Sequence, residues 1–327
     1  MLKQFLPSVI QHSVGSKIYV ADNASTDDSV SFLRETYPEI QLILNNENNG
    51  FSAGYNAALK QIEAEYYILL NSDVEVSEGW IEPIIEMMDS DKQIAACQPK
   101  ILSYHDKKMF EYAGAAGGFI DKDGYMFCRG RIFNHFEKDE GQYDGVKEIF
   151  WASGACLFIR AELFHSAGGL DDDFFAHMEE IDLCWRLKNR GYRIVFNARS
   201  IVYHVGGGTL SKNNPTKTYL NFRNNLFLLT KNYHQGNYTL KMIYRMILDG
   251  LAGIKFLLDG HPDHSLAIVK AHFSFYGKFR KFRAKRRVIK KQVSNFNPTG
   301  QFKKSIVFKY FIGRVRTFSE LNQKDFY

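Results

Sequence analysis

Cysteine is sparse and unpaired in this 327-residue chain: Cys97, Cys128, Cys156 and Cys184 stand far apart, with no CxxC among them. That spacing excludes a zinc knuckle and a disulfide framework and leaves free thiols in a reducing compartment. Long apolar runs are also missing. No stretch reaches the ~18 uninterrupted apolar residues that a spanning helix needs. The opening residues, MLKQFLPSVIQHSVGS, hold one early Lys, a Pro and no long apolar core, so they do not read as a secretory signal. No internal repeat is visible. The expectation is a cytoplasmic protein, though not one necessarily free in solution.

What is present is ample core material: 45% of residues are hydrophobic and 15% aromatic, enough for one large α/β domain with an appendage. The net charge of +6 conceals an asymmetry. Residues 235–327 carry 19 Lys and Arg against 5 Asp and Glu, whereas residues 1–234 carry 23 against 31. An acidic body with a basic tail suggests that the tail meets an anionic surface.

Helical spacing opens the chain with Leu2, Phe5, Leu6, Val9 and Ile10. Strands are expected at 17–21, 41–44 and 66–70, with helices at about 27–36 and 52–62 between them, the pattern of βαβ units. Ligands of such sheets sit where the strands end. The residues there are Asp22-Asn23, Asn45-Asn46 and Asn71-Ser72-Asp73, all polar. Residues 100–150 are punctuated by glycines and read as hairpins or a mobile loop. A strand-like segment at 154–160, a helix at about 178–189, strands at 192–196 and 200–204, and long helices at about 216–234, 239–258 and 263–287 complete the pattern.

Each candidate group has a plain structural explanation beside a chemical one. Ser25 or Thr26 can cap a helix that Asp27 and Asp28 favour, but this leaves Asp22 and Asn23 free to face the crevice. Gly50 and Gly54 can make an ordinary turn, or let backbone N–H groups face a phosphate or ribose. Asp73, after a buried strand and beside other oxygen ligands, suits a divalent cation carrying a diphosphate, or merely a turn. Glu179, Glu180 and Asp182 satisfy a helix dipole, yet follow Phe174-Phe175, an apolar setting that can lift a carboxylate toward a general base's range. His204 ends a strand before Gly206-Gly207-Gly208, a placement compatible with metal ligation.

Taken in order, VADNASTDDS, NNGFSAGYNAAL, LLNSDV, WASGACLFIR, DDDFFAHMEEIDLCWRLKNRGYRI, VYHVGGGT and YLNFRNNLFLL resemble the family-2 inverting glycosyltransferases, especially their bacterial rhamnosyltransferase-like branch. The resemblance covers roughly residues 1–230. It implies a GT-A fold, a Rossmann-like mixed sheet that handles nucleotide-diphosphate sugars, here with a C-terminal helical extension. It also implies roles. Asp22, Asn49, Asn71 and Trp151 match donor-binding positions, and Asp73 and His204 match the site of a Mg²⁺ or Mn²⁺ ion. Glu180 matches the general base, with Glu179 and Asp182 assisting. Asn71 stands where the family's metal motif has its first carboxylate, and Glu180 where Asp is commoner. The implied reaction transfers a rhamnose-like or other hexose from a nucleotide-diphosphate donor to a cell-surface glycan or lipid-linked acceptor.

Family members open with an apolar strand that precedes the helix starting here near Leu2, and that strand is absent. The chain as given is expected to begin about 15 residues late, by usual strand and loop lengths. A catalytically impaired scaffold or membrane partner is therefore the alternative function. A nucleotidyltransferase would carry a Gly-rich basic loop near the first strand, and none is seen.

Two domains are expected, a catalytic one over 1–234 and a basic amphipathic helical region over 235–327. In the latter, 9 of the 14 residues from Lys278 to Lys291 are basic and none is acidic. With the amphipathic stretch 242–258 upstream, this suits in-plane association with the anionic inner face of the plasma membrane. A packed helical subdomain is the bland reading, and no nucleic-acid partner is expected.

Overall fold

The computed structural model describes residues 1–206 and 214–327. Gly207 and Gly208, of the glycine run after His204, lie outside the described residues. Along the chain run α1 (Leu2–His12), β1 (Tyr19–Asp22), α2 (Ser29–Thr36), β2 (Gln41–Leu44), α3 (Gly50–Leu59), β3 (Tyr66–Leu70), β4 (Val74–Val76), α4 (Glu82–Ser90) and β5 (Ile94–Ser103). Short strands β6 (Gly118–Asp121), β7 (Met126–Cys128), β8 (Arg131–Ile132), β9 (His135–Phe136) and β10 (Val146–Ile149) follow. Next come β11 (Cys156–Arg160), α5 (Ala161–Ser166), α6 (Glu179–Asn189) and β12 (Arg193–His204). The remainder is α7 (Pro215–Asn232), α8 (Tyr238–Leu258), α9 (Pro262–Gln292), β13 (Gln301–Phe302) and α10 (Ile306–Phe311).

The main sheet runs β10-β12-β5-β11-β3, with β4 also paired to β12. It is mixed. β12 and β5 are parallel, while β11 lies antiparallel to both β5 and β3. β11 is buried throughout and β5 at every residue but Ser103, so neither strand shows the alternation of buried apolar and exposed polar residues of a one-faced sheet. The antiparallel β11 sets Cys156 beside Leu70, so its N-terminal end lies at the same rim as the C-terminal end of β3. At the other side of the rim, β12 ends with His204 paired to Val74.

β1 and β2 form a separate parallel pair. No strand among the described residues joins β1 to β3. Between them opens a cleft of about 490 Å³, walled by Ile18, Val20, Ile68 and Leu70 and reaching Asn71 and Asp73.

A second sheet, β13-β6-β7-β8-β9, packs its Phe119 and Phe127 against Phe318 and Phe326 from the end of the chain. Residue 234, the expected domain boundary, falls just after α7, but the chain beyond it folds back onto the body. Phe282 of α9 stacks on Phe227 of α7 at 3.8 Å between ring centroids, and both rings are fully buried. Asp121 Oδ2 accepts the N–H of Ile306 at 2.8 Å, tying the second sheet to α10.

Candidate active site

Two glycines and three asparagines build the wall nearest β1. Asn45 Nδ2 donates to Asn23 Oδ1 and to the carbonyl of Gly54, and Asn23 Nδ2 donates to Asn48 Oδ1 and the carbonyl of Gly50. A Cβ on Gly54 would stand 3.0 Å from Asn23 Oδ1. Gly50 has φ +89°, and a Cβ there would lie 2.6 Å from the carbonyl oxygen of Phe175. Glycine is thus needed for conformation and for space. Asp22 is nearly buried and accepts the Ser25 N–H at 3.1 Å, as a capping carboxylate does. Asn23 and Asn71 line the cleft. Asn49 does not, since its amide donates to Glu47 at 2.7 Å on the exposed side.

Asp73 and His204 meet, as the sheet rim requires. His204 Nε2 lies 3.2 Å from Asp73 Oδ1, and Nδ1 lies 3.1 Å from Glu111 Oε2 without the alignment of a full hydrogen bond. Burial alone would lower the imidazole pKa, but the two carboxylates outweigh it and raise it to about 9. Burial likewise works against Asp73, yet its bond with His204 holds the carboxyl below its usual range.

Among the described residues no group of three His, Cys, Asp or Glu side chains could hold a metal ion alone. The donor set nevertheless fits a cation that completes its shell with phosphate oxygens and water, because the Asp73 carboxylate lines the cleft and stands 3.2 Å from an imidazole nitrogen. Glu111 had no sequence signal. It sits in the glycine-punctuated stretch, 93 positions before the histidine it touches. Gly206 confirms how closely it is packed, as a Cβ there would be 2.3 Å from Glu111 Oε1.

The acidic helix start is presented by a strained loop. Phe175, His177 and Met178 all have positive φ, between 66° and 74°, at a cost of about 1–3 kcal/mol each. Asn224 on α7 holds this shape by donating to the carbonyls of Phe174, Ala176 and His177, and Arg223 donates to Phe174 as well. From α9, Lys285 bridges Asp171 and Asp173 at 2.5 and 2.6 Å. Lys278 and Lys281 also bind Asp173, so much of the basic tract is spent within the molecule.

Out of this loop come three buried polar atoms with no hydrogen-bond partner: His177 Nε2, Glu179 Oε2 and Glu180 Oε2. Such atoms call for an explanation, and a bound ligand or a catalytic role is one. Burial pushes Glu180 up to about 7, partly offset by backbone N–H donors that include Gly154. Burial and the neighbouring Glu180 push Glu179 up as well, so the two carboxyls titrate as a pair. Burial keeps His177 neutral, lowering it to about 4. Glu180 Cβ lies 3.8 Å from a Cβ built on Gly154, and the next residue, Ala155, accepts the N–H of Asn71 at 3.1 Å. The Glu180 carboxyl and the Asp73 segment therefore share one rim.

Two more expected site residues, besides Asn49, are corrected by the structure. Asp182 is fully buried, and its oxygens accept from Arg186 at 2.8 Å, Lys231 at 2.7 Å and Asn232 at 2.7 Å. It binds α6 to α7 and has no free edge for a substrate. Asp182→Ala is expected to destabilise the fold by roughly 3–5 kcal/mol, because it strands buried cations; an unchanged urea midpoint would refute that role. Trp151 is also interior. Its indole N–H donates to the Phe119 carbonyl at 2.9 Å and its ring covers Gly118, so it seams the two sheets together.

Residues 1–165 match the model of glycosyl transferase family 2, which is half of the chain. The chain belongs to that family. Among the proteins similar to it, the N-acetylglucosaminyl-diphospho-decaprenol L-rhamnosyltransferase of Mycobacterium tuberculosis is 24% identical over 205 residues, covering 57% of this chain and 66% of that protein. Rhamnosyltransferase WbbL of Escherichia coli K12 is 23% identical over 170 residues, covering 50% and 63%. The chain thus matches just under two thirds of the length of these relatives. The crystal structure of GalNAc-T7 with UDP, GalNAc and Mn²⁺ superposes with a TM-score of 0.58 at 14% identity, covering 96% of this chain and 54% of that one. The fold is the GT-A fold expected of family 2, a mixed α/β body with a helical C-terminal region.

Proposed function

We propose that this family-2 protein is an inverting glycosyltransferase that moves a hexose, rhamnose or a relative of it, from a nucleotide-diphosphate donor to a hydroxyl of a cell-surface glycan or lipid-linked acceptor. The observation that carries this reading is the shared rim of Asp73, His204 and the Glu180 carboxyl, whose Oε2 has no hydrogen-bond partner. The names of the mycobacterial and Escherichia coli relatives support the sugar and acceptor classes.

Glu180 accepts the proton of the attacking hydroxyl. As the new bond from acceptor oxygen to anomeric carbon forms, the bond from that carbon to the diphosphate oxygen breaks, and the diphosphate leaves with the electron pair. His177 and Glu179, buried beside Glu180, orient the acceptor and keep bulk water away. Asp73 and His204 would hold Mg²⁺ or Mn²⁺, and such an ion supplies neutralisation of the diphosphate charge. Glu111, 3.1 Å from Nδ1 of His204, is placed to favour a proton there, which would leave Nε2 as the coordinating atom. The asparagine wall beside Asp22 and Asn71 bounds the donor side. Residues 235–327 meet an anionic membrane surface, where a lipid-linked acceptor would be found.

Transfer is expected to rise with pH and level off with an apparent pKa near 7, because Glu180 must be ionised and burial has raised it to about 7. A kcat profile that is flat from pH 5.5 to 8.5 would remove Glu180 from the base role. The test of the whole reading is calorimetry with UDP, dTDP and GDP sugars, with and without Mn²⁺, followed by product detection with the donor that binds. Absence of metal-dependent binding by any of them would reject it.

A further inference from the structure

The α8–α9 hairpin turns apolar surface outward as well as inward. On α8, Met242, Leu248 and the Arg245–Asp249 ion pair face the body. The opposite side of the same helix exposes Ile243, Ile247, Leu251, Ile254 and Leu258, each more than half accessible and spaced three or four residues apart. α9 runs antiparallel beside it, joined by Ser265 to the Gly253 carbonyl at 2.7 Å and by Tyr276 to Met246 Sδ at 3.3 Å. Its outward stripe is Leu266, Val269, Phe273 and Tyr276, with Phe273 73% accessible. A soluble helix normally buries one apolar stripe and wets the other side. Two continuous outward stripes make a patch of the kind that marks an interaction surface.

Charge selects the partner. From residue 264 to 319 there are 15 Lys and Arg and no Asp or Glu. The α9 stripe passes from Tyr276 directly into Arg280, Arg287 and Lys291, at helical spacing on the same side. These three are exposed and form no ion pair among the described residues, unlike the inward Lys285. A second copy of the chain would bring an α9 whose one acid, Asp263, lies in its first turn, and whose remainder carries only positive charge, to this face. An anionic lipid surface instead offers acyl chains for the apolar half and phosphates for the cationic half. No helix among the described residues is long and apolar enough to cross a membrane, so the contact is in-plane.

We propose that the outward stripes of α8 and α9 seat the protein on an anionic bilayer, with Ile247, Leu251 and Phe273 in the acyl boundary and Arg280, Arg287 and Lys291 on the headgroups. This deepens the membrane side of the proposed function and rests on it. The hairpin, more than the whole basic tract, is the contact element.

The test is flotation of the full chain with vesicles of phosphatidylglycerol and phosphatidylcholine, and with phosphatidylcholine alone. Binding should require the anionic lipid and weaken with salt. Leu251→Glu with Phe273→Glu should lower it roughly 10-fold or more, the loss expected from withdrawing Leu-sized side chains from the acyl region. Arg280→Glu with Arg287→Glu should abolish the preference for anionic lipid. The proposal is overturned if these variants float like the wild type, or if the protein is a lipid-indifferent dimer by light scattering that Leu251→Glu splits. Metal-dependent nucleotide binding, measured on the same variants, should not move. Its loss from wild type with flotation intact would reject the transferase reading alone.

Discussion

Glu180→Gln is expected to lower kcat roughly 10²- to 10⁴-fold while leaving donor affinity within about twofold, the signature of a base acting only in the chemical step. The amide has the shape of the carboxylate and none of its basicity. A second readout separates this from a folding defect. Burial raises the Glu180 pKa from 4.5 to about 7, so its ionised form costs stability. The cost is absent below the unfolded pKa, grows as pH rises above 4.5 and is fully present above 7. The Gln variant should therefore gain stability relative to wild type at pH 8 and not at pH 4, by chemical denaturation. Normal turnover in the variant would discard the assignment, whatever its stability.

Asp73→Ala carries the second large effect: metal-dependent nucleotide binding should disappear in calorimetry with Mn²⁺. Glu111→Gln should weaken Mn²⁺ binding by a smaller factor, about 10- to 100-fold, as partners of a ligating histidine do. Titration offers a control without metal. His204 is raised from 6.5 to about 9, against its burial, by Asp73 and Glu111. Its contribution to stability is then complete below pH 6.5 and is lost as pH rises through 9. Asp73→Ala should flatten that loss. If it retains full Mn²⁺-dependent binding, the cation does not sit at Asp73.

Period and strand ends made much of this site readable. β1, β2 and β3 fall within two residues of their expected places because short apolar runs between helices have few other structures open to them. β5 was not recognised. Gln98, Pro99 and Lys100 interrupt it, and only the fold supplies the partners that let Gln98 and Lys100 be buried, the carbonyl of Gly114 and the carboxylates of Asp139 and Asp144. β12 read as two strands because its register with β5 shifts between Asn197 and Ile201. The acids of α6 were unsortable for a different reason. Nearly every side of that helix is buried, so position along it does not reveal that Asp182 turns to Lys231 while Glu180 turns to Gly154. Trp151 matches a donor-binding position by motif, yet its ring packs on Gly118, a contact between the two sheets that no local pattern encodes.

The clamp on residues 171–178 ties the far end of the chain to the chemistry. Lys285 belongs to a helix that begins nearly 90 positions after the loop it grips, and Phe282 of that helix fills the ring stack beneath α7. A shortened version ending at residue 234 would keep every proposed ligand and the proposed base, yet leave Phe227 wet, Asp173 without its lysines and Asp171 with Lys231 alone. Expressed alone, it should melt well below the full chain and turn over slowly even where it stays folded. Engineers seeking a minimal form of this chain should blunt the greasy outer face of the hairpin and leave its inward stem in place.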